Sequence, residues 1–95
     1  MAAKKDSEKL IERKLRERVQ RAGGFALKLL DFGGIPDRLL VLPDGRTLFV
    51  ELKSTGAKPT KLQLYRHRQL RELGHRAEVI DNLNDLNTLL DELGI

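Results

Sequence analysis

A chain of 95 residues carries one domain with one core, so any functional site has to be built on that core. With 40% hydrophobic and 34% charged residues the composition is that of a globular protein, and no apolar run approaches the roughly 18 residues that a membrane span requires. The absence of cysteine excludes disulfides and every thiolate metal centre, and a formal net charge of +4 is compatible with a polyanionic partner.

The opening Met1-Ala2-Ala3-Lys4-Lys5-Asp6 has no apolar stretch after its lysines, so it does not read as a secretory leader, and a cytoplasmic setting is the default expectation. Between residues 6 and 22, Leu15, Val19 and Ala22, with Leu10 and Ile11 near the same side, have the spacing of an amphipathic helix that Gly23-Gly24 terminates. Residues 25–31 alternate Phe25, Leu27 and Leu29 with Ala26, Lys28 and Leu30, which predicts a short strand, and Phe32-Gly33-Gly34-Ile35-Pro36 interrupts it. Residues 38–42 predict a second strand, apolar on both sides like one buried on both faces. Pro43-Asp44-Gly45-Arg46 supplies hairpin-turn chemistry, and residues 47–53 form the returning strand. After a loop at residues 54–59, Thr60 begins a helix reaching about Leu73, which Gly74 ends. Residues 76–80 predict a further strand, and Leu86, Leu89, Leu90 and Leu93 mark a closing helix with one apolar face. The order α-β-β-β-α-β-α, with no internal repeat, predicts an α/β sandwich of a mixed β-sheet flanked by helices, forming a single domain over residues 1–95.

Period two puts Phe49, Glu51 and Lys53 on one face of their strand and Leu48, Val50 and Leu52 on the other. Asp37 opens the partner strand at the end opposite the Asp44-Gly45 turn, so antiparallel pairing brings it beside Glu51 and Lys53. Two adjacent carboxylates raise one another's pKa unless a cation sits between them. Mg²⁺, which takes carboxylate and water oxygens and shares substrate phosphate, resolves the conflict, with Mn²⁺ as its substitute. Lys53 is then available to orient an attacking water and to stabilise charge on phosphorus.

Gly34-Ile35-Pro36-Asp37 followed by Phe49-Val50-Glu51-Leu52-Lys53 resembles the PD…ExK signature of the restriction-endonuclease-like nucleases. Gly23-Gly24, Lys28, Gly34-Ile35-Pro36-Asp37-Arg38, Glu51-Leu52-Lys53, Gln63 and Leu73-Gly74 together resemble the VRR-NUC branch over nearly the whole chain. The resemblance implies a restriction-endonuclease-like fold and a metal site of Asp37, Glu51, the backbone carbonyl of Leu52 and an acidic residue of the first helix. Glu12 is the expected helix ligand because it shares a 3-4 row with Leu15 and Val19; Glu8, one turn earlier on the same face, is its rival. Gln63 matches a glutamine that such nucleases place near the catalytic lysine. The expected catalytic set is therefore Asp37, Glu51, Lys53 and Gln63, and Lys28, Arg38, Lys58, Lys61 and Arg66 are the candidate DNA phosphate contacts. The resemblance further implies hydrolysis of DNA, possible selectivity for branched DNA or four-way junctions, a homodimer, and a viral or bacterial host cytoplasm.

Plainer readings stand beside these. Glu51 and Lys53 can form an ordinary ion pair on an exposed strand, Asp37 can be a turn residue after proline, and the charged helix carrying Glu12 can be a solvated surface. Thr60-Lys61-Leu62-Gln63 fits a capping box that would engage Gln63. Lys58, Lys61, Arg66, Arg68 and Arg71 can bind phosphates or, spread around a helix, only solubilise it, and His67 and His75 read as surface residues. Asp31-Phe32-Gly33 matches a kinase metal motif, but the chain has no glycine-rich nucleotide loop and is too short for a kinase, so the tripeptide reads as a strand end entering a turn. A non-catalytic DNA-binding module that keeps the nuclease fold is the alternative function.

Overall fold

The computed structural model describes residues 5–30 and 32–95; the expectations for residues 1–4 and for Asp31 lie outside them. Seven elements follow in the expected order: α1 (Glu8–Arg21), β1 (Phe25–Lys28), β2 (Arg38–Val41), β3 (Thr47–Leu52), α2 (Lys61–Glu72), β4 (Ala77–Ile80) and α3 (Leu83–Glu92). Each helix starts where a polar side chain accepts an otherwise free backbone N–H. Ser7 takes that of Leu10, Thr60 that of Gln63 and Asn82 that of Asp85. The cap at Ser7 is why α1 begins at Glu8 and not at Asp6. Asp6 instead ties the chain to α3, its Oδ2 accepting from the Leu83 N–H at 2.8 Å. Strand β1 ends at Lys28, three residues short of the expectation: Leu29 N–H still reaches the Asp37 carbonyl at 2.7 Å, and the chain then leaves the ladder.

The four strands lie in the order β1-β2-β3-β4, with β1 to β3 antiparallel and β4 parallel to β3 after the crossover through α2. Alternation divides the sheet into two unlike faces. Leu40 of β2, Leu48, Val50 and Leu52 of β3 and Ile80 of β4 turn toward α1 and α3. There they meet Ile11, Leu15, Val19, Leu86, Leu89 and Leu90 in the apolar core. This single buried cluster is what the 3.6-residue period of α1 and α3 encodes. The other face carries Phe49, Glu51 and Lys53 and is covered by α2, whose one buried residue is His67. No described helix is long and apolar enough to cross a membrane.

The N-terminus of α2 presses on the loop before β2. Gly34 has φ +86°, and a Cβ added there would lie 2.7 Å from the Leu62 carbonyl oxygen. Gly56 has φ +90° but open space around it. Alanine at Gly56 therefore meets backbone strain alone, about 1–2 kcal/mol, whereas alanine at Gly34 adds a backbone clash, for a total of roughly 2–5 kcal/mol. Thermal melting separates the two, because 1 kcal/mol moves Tm by about 4–8 °C in a domain of this size. Equal shifts for Gly34→Ala and Gly56→Ala would show that loop and helix do not press on one another.

Candidate active site

The β2–β3 ladder pairs Arg38 with Val50, so one step further out Asp37 stands opposite Glu51 on the α2 face. Asp37 is fixed there from both neighbouring strands. Its Oδ2 accepts the Leu52 N–H at 3.0 Å and its carbonyl accepts the Leu29 N–H. Glu51 projects to the same side with its side chain 2% exposed, and Lys53 Nζ lies 3.7 Å from its Oε2. On the inner side, Glu51 Oε1 lies 3.9 Å from His67 Nε2 and has no hydrogen-bond partner.

Burial pushes the Glu51 carboxyl up from its ordinary value of 4.5 to about 8; Asp37 adds to the rise through a hydrogen bond and its charge, and Glu8 by charge, while Lys53 opposes it. His67 is held below the ordinary imidazole value by burial and by the charges of Arg71 and Lys53, against the pull of Asp37. A neutral imidazole therefore backs a carboxyl group that two other carboxylates discourage from ionising.

The acids of α1 divide. Glu12 Oε1 is 2.8 Å from an Arg38 guanidinium nitrogen and 3.4 Å from one of Arg16, so its charge is already matched. Its helix row does lean toward the sheet, but the group it meets there is Arg38, and the expected convergence of Glu12 with Asp37 and Glu51 is not formed. Glu8 makes no ion pair among the described residues, and its charge is felt at Glu51. Glu8, Glu12, Lys28, Asp37, Arg38 and Leu52 line one polar cleft of about 200 Å³. Among the described residues no three acidic or imidazole side chains converge closely enough to enclose an ion unaided.

Other expected site residues have structural engagements. Gln63 Oε1 accepts the Thr60 N–H at 2.8 Å and Thr60 Oγ1 accepts the Gln63 N–H at 3.1 Å, so this side chain closes a capping box. Arg38 is buried and engaged with Glu12 and the Ala26 carbonyl, at the lining of the cleft. Arg66 donates to the Gly33 carbonyl at 2.7 Å and to Gln69 at 2.9 Å, tethering the glycine loop to α2. Lys28, Lys58 and Lys61 are exposed. Of the helix arginines, Arg71 donates to the Ala77 carbonyl at 2.7 Å, fastening α2 to β4.

His67 is the functional candidate that the sequence reading placed wrongly. It is wholly buried, whereas His75 is exposed with its ring 6.1 Å from that of Phe49. The row Gln63–His67–Leu70 is the helix face turned to the sheet, but with Gln and His in it the row carries no apolar signal that singles it out.

The donor set suits a hard divalent cation. It consists of carboxylate oxygens with one of them buried and unpartnered, no thiolates, and a repulsion between Asp37 and Glu51 that positive charge relieves. A mixed sheet of this order, with an aspartate opposite a Glu-x-Lys strand, defines the PD-(D/E)xK class of nuclease domains. No family model matches the chain. A solved structure described as a VRR_NUC domain superposes with a TM-score of 0.80 at 30% identity, over 90% of this chain and 97% of that one. The phage protein named "Putative nuclease p44", from Acyrthosiphon pisum secondary endosymbiont phage 1, is 45% identical over 82 residues, 84% of this chain and 87% of its own length. The chain belongs to the VRR-NUC family of nuclease domains.

The raised Glu51 value carries a stability consequence. A carboxyl group with a folded-state pKa near 8 and an unfolded value of 4.5 keeps a proton on folding that the unfolded chain releases. Its contribution is complete below the unfolded value and is lost as pH rises through the folded one. Metal-free protein is therefore expected to melt at progressively lower temperature between about pH 5 and pH 8, and Glu51→Gln, which cannot ionise, to show a shallower decline. Calorimetric scans in chelator across that range make the comparison, and parallel curves for the two proteins would contradict it.

Proposed function

We propose that this chain is a Mg²⁺-dependent DNA endonuclease, with Mn²⁺ as a working substitute, that hydrolyses phosphodiester bonds and leaves 5′-phosphate and 3′-hydroxyl ends. The observation that carries the reading is the buried Glu51 beside Asp37, with one oxygen unpartnered and Lys53 at 3.7 Å from the other. Mg²⁺ is usually held by one or two carboxylates, with waters and substrate phosphate completing its shell. Asp37, Glu51 and the Leu52 carbonyl would hold it, and Glu8, whose charge is unmatched, is better suited than Glu12 to assist. When bound, the cation acidifies a water and offsets charge on the phosphate. Lys53, 19% exposed beside Glu51, places its ammonium where it orients the incoming water and stabilises charge on phosphorus. Lys28, Lys58 and Lys61 supply backbone phosphate contacts, which position a nucleic acid without reading its sequence.

Selectivity for branched DNA or four-way junctions, and a homodimer presenting two sites, belong to the same reading. The half-exposed Phe25 and Leu27 on the outer strand β1, with exposed Leu30 beyond it, support pairing of two copies along that margin. The phage origin of the similar protein supports action in a bacterial host cytoplasm. The lack, among the described residues, of any three converging acidic or imidazole side chains favours the second reading, a DNA-binding module without catalysis. Calorimetric Mg²⁺ uptake that Glu51→Gln abolishes would count against that module.

Asp37→Asn and Lys53→Ala are each expected to lower cleavage of DNA in Mg²⁺ or Mn²⁺ by about 10²-fold or more while the fold survives. Glu8→Gln should weaken Mg²⁺ binding, whereas Glu12→Gln should appear mainly as lost stability, since it strands Arg38. Undiminished cutting by the Asp37 and Lys53 variants would end the assignment. Matched duplex, flap and four-way substrates test shape, and a preference for plain duplex would defeat the branched-DNA proposal.

A further inference from the structure

Three buried polar atoms meet without a hydrogen bond between α2 and the sheet: Glu51 Oε1, His67 Nδ1 and His67 Nε2. His67 is the one buried residue of α2, so this helix docks through an imidazole where an aliphatic side chain would pack without any polar group to satisfy. A wholly buried imidazole stays neutral and carries a single N–H, and Nε2 is the nitrogen that faces Glu51, at 3.9 Å from Oε1. A small side-chain rotation closes that gap to a hydrogen bond. With its side chain 1% exposed, and behind Glu51, His67 reaches neither water nor a phosphate, which leaves it no direct part in hydrolysis.

We propose that His67 is a positioning residue for Glu51: its Nε2–H donates to Oε1 and so turns Oε2, the oxygen beside Lys53, toward Asp37 and the ion. The proposal rests on the metal site argued above. Outer hydrogen bonds of this kind fix the direction of a metal-binding carboxylate and typically change metal affinity by about 10–100-fold when removed.

The test combines ring ¹⁵N NMR of the Mg²⁺-loaded protein, in which Glu51 is ionised, with Mn²⁺ calorimetry on wild type, His67→Phe and His67→Gln. We expect the Nε2–H tautomer in wild type. His67→Phe should still melt cooperatively in chelator, at a cost for leaving Glu51 Oε1 without its donor, and bind Mn²⁺ about 10–100-fold more weakly. His67→Gln, whose amide nitrogen falls near the position of Nε2, should recover most of that affinity. An Nδ1–H tautomer would overturn the proposal, as would unchanged Mn²⁺ affinity in His67→Phe or equal losses in the two variants. Should His67→Phe not fold, the tautomer and His67→Gln decide. Wild type that takes up no Mn²⁺ overturns the reading of the site itself and this proposal with it, whereas normal uptake in both wild type and His67→Phe overturns the proposal alone.

Discussion

A carboxylate buried next to another carboxylate is the constraint around which this small domain is arranged. Glu51 has lost its water and faces Asp37, and the lysine two residues along its own strand only partly offsets the repulsion. An isolated pair of this kind is unfavourable for folding, since desolvation and like charge both oppose ionisation. The rest of the molecule supplies what the pair lacks in stability. An aliphatic cluster on the far side of the sheet ties α1, α3 and three strands together, and Leu52 N–H holds the Asp37 carboxylate in place.

The two faces of the sheet are accordingly specialised. Toward α1 and α3 the contacts are aliphatic and nearly complete, which is where a domain of this length obtains most of its folding free energy. Toward α2 the buried groups include Glu51 and His67, while Leu62, Leu64, Tyr65 and Leu73 stay half-exposed or more. That layer is held by polar fasteners instead: the Arg66 bond to Gly33, the Arg71 bonds to Ala77 and the close seat of Gly34 under Leu62. A helix attached in this way keeps its place by directional bonds and a close backbone seat, and the buried residue in the middle of its inner face is the polar His67 beside the site.

Much of this was legible in the amino-acid sequence for definite reasons. The Asp44-Gly45 turn fixes the register of the hairpin, and period two then places Asp37, Glu51 and Lys53 on one face by counting alone. The 3.6-residue period of α1 and α3 gives the core directly. What counting along single elements missed depends on which helix covers which face. Arg38, one residue after Asp37, points by alternation to the α1 side, where a buried guanidinium needs an acid, and Glu12 is the acid it finds. The same row that made Glu12 look like a ligand therefore delivers it to an arginine. His67 was hidden because α2 has no apolar stripe to mark its inner face, so the helix looked uniformly solvated.

The division of labour between Glu8 and Glu12 follows from the same geometry. Glu12 sits one turn inside α1, over the sheet, where leaving Arg38 unmatched would bury a lone cation. Glu8 begins the helix, at the open mouth of the cleft, where it can remain hydrated and still contribute negative potential at Glu51. A carboxylate at a helix start is favoured there in any case by the free N–H groups of the first turn. One helix thus offers an acid that secures the scaffold and another, a single turn away, that stays uncommitted at the entrance, so the site gains its negative charge without taking it from the core.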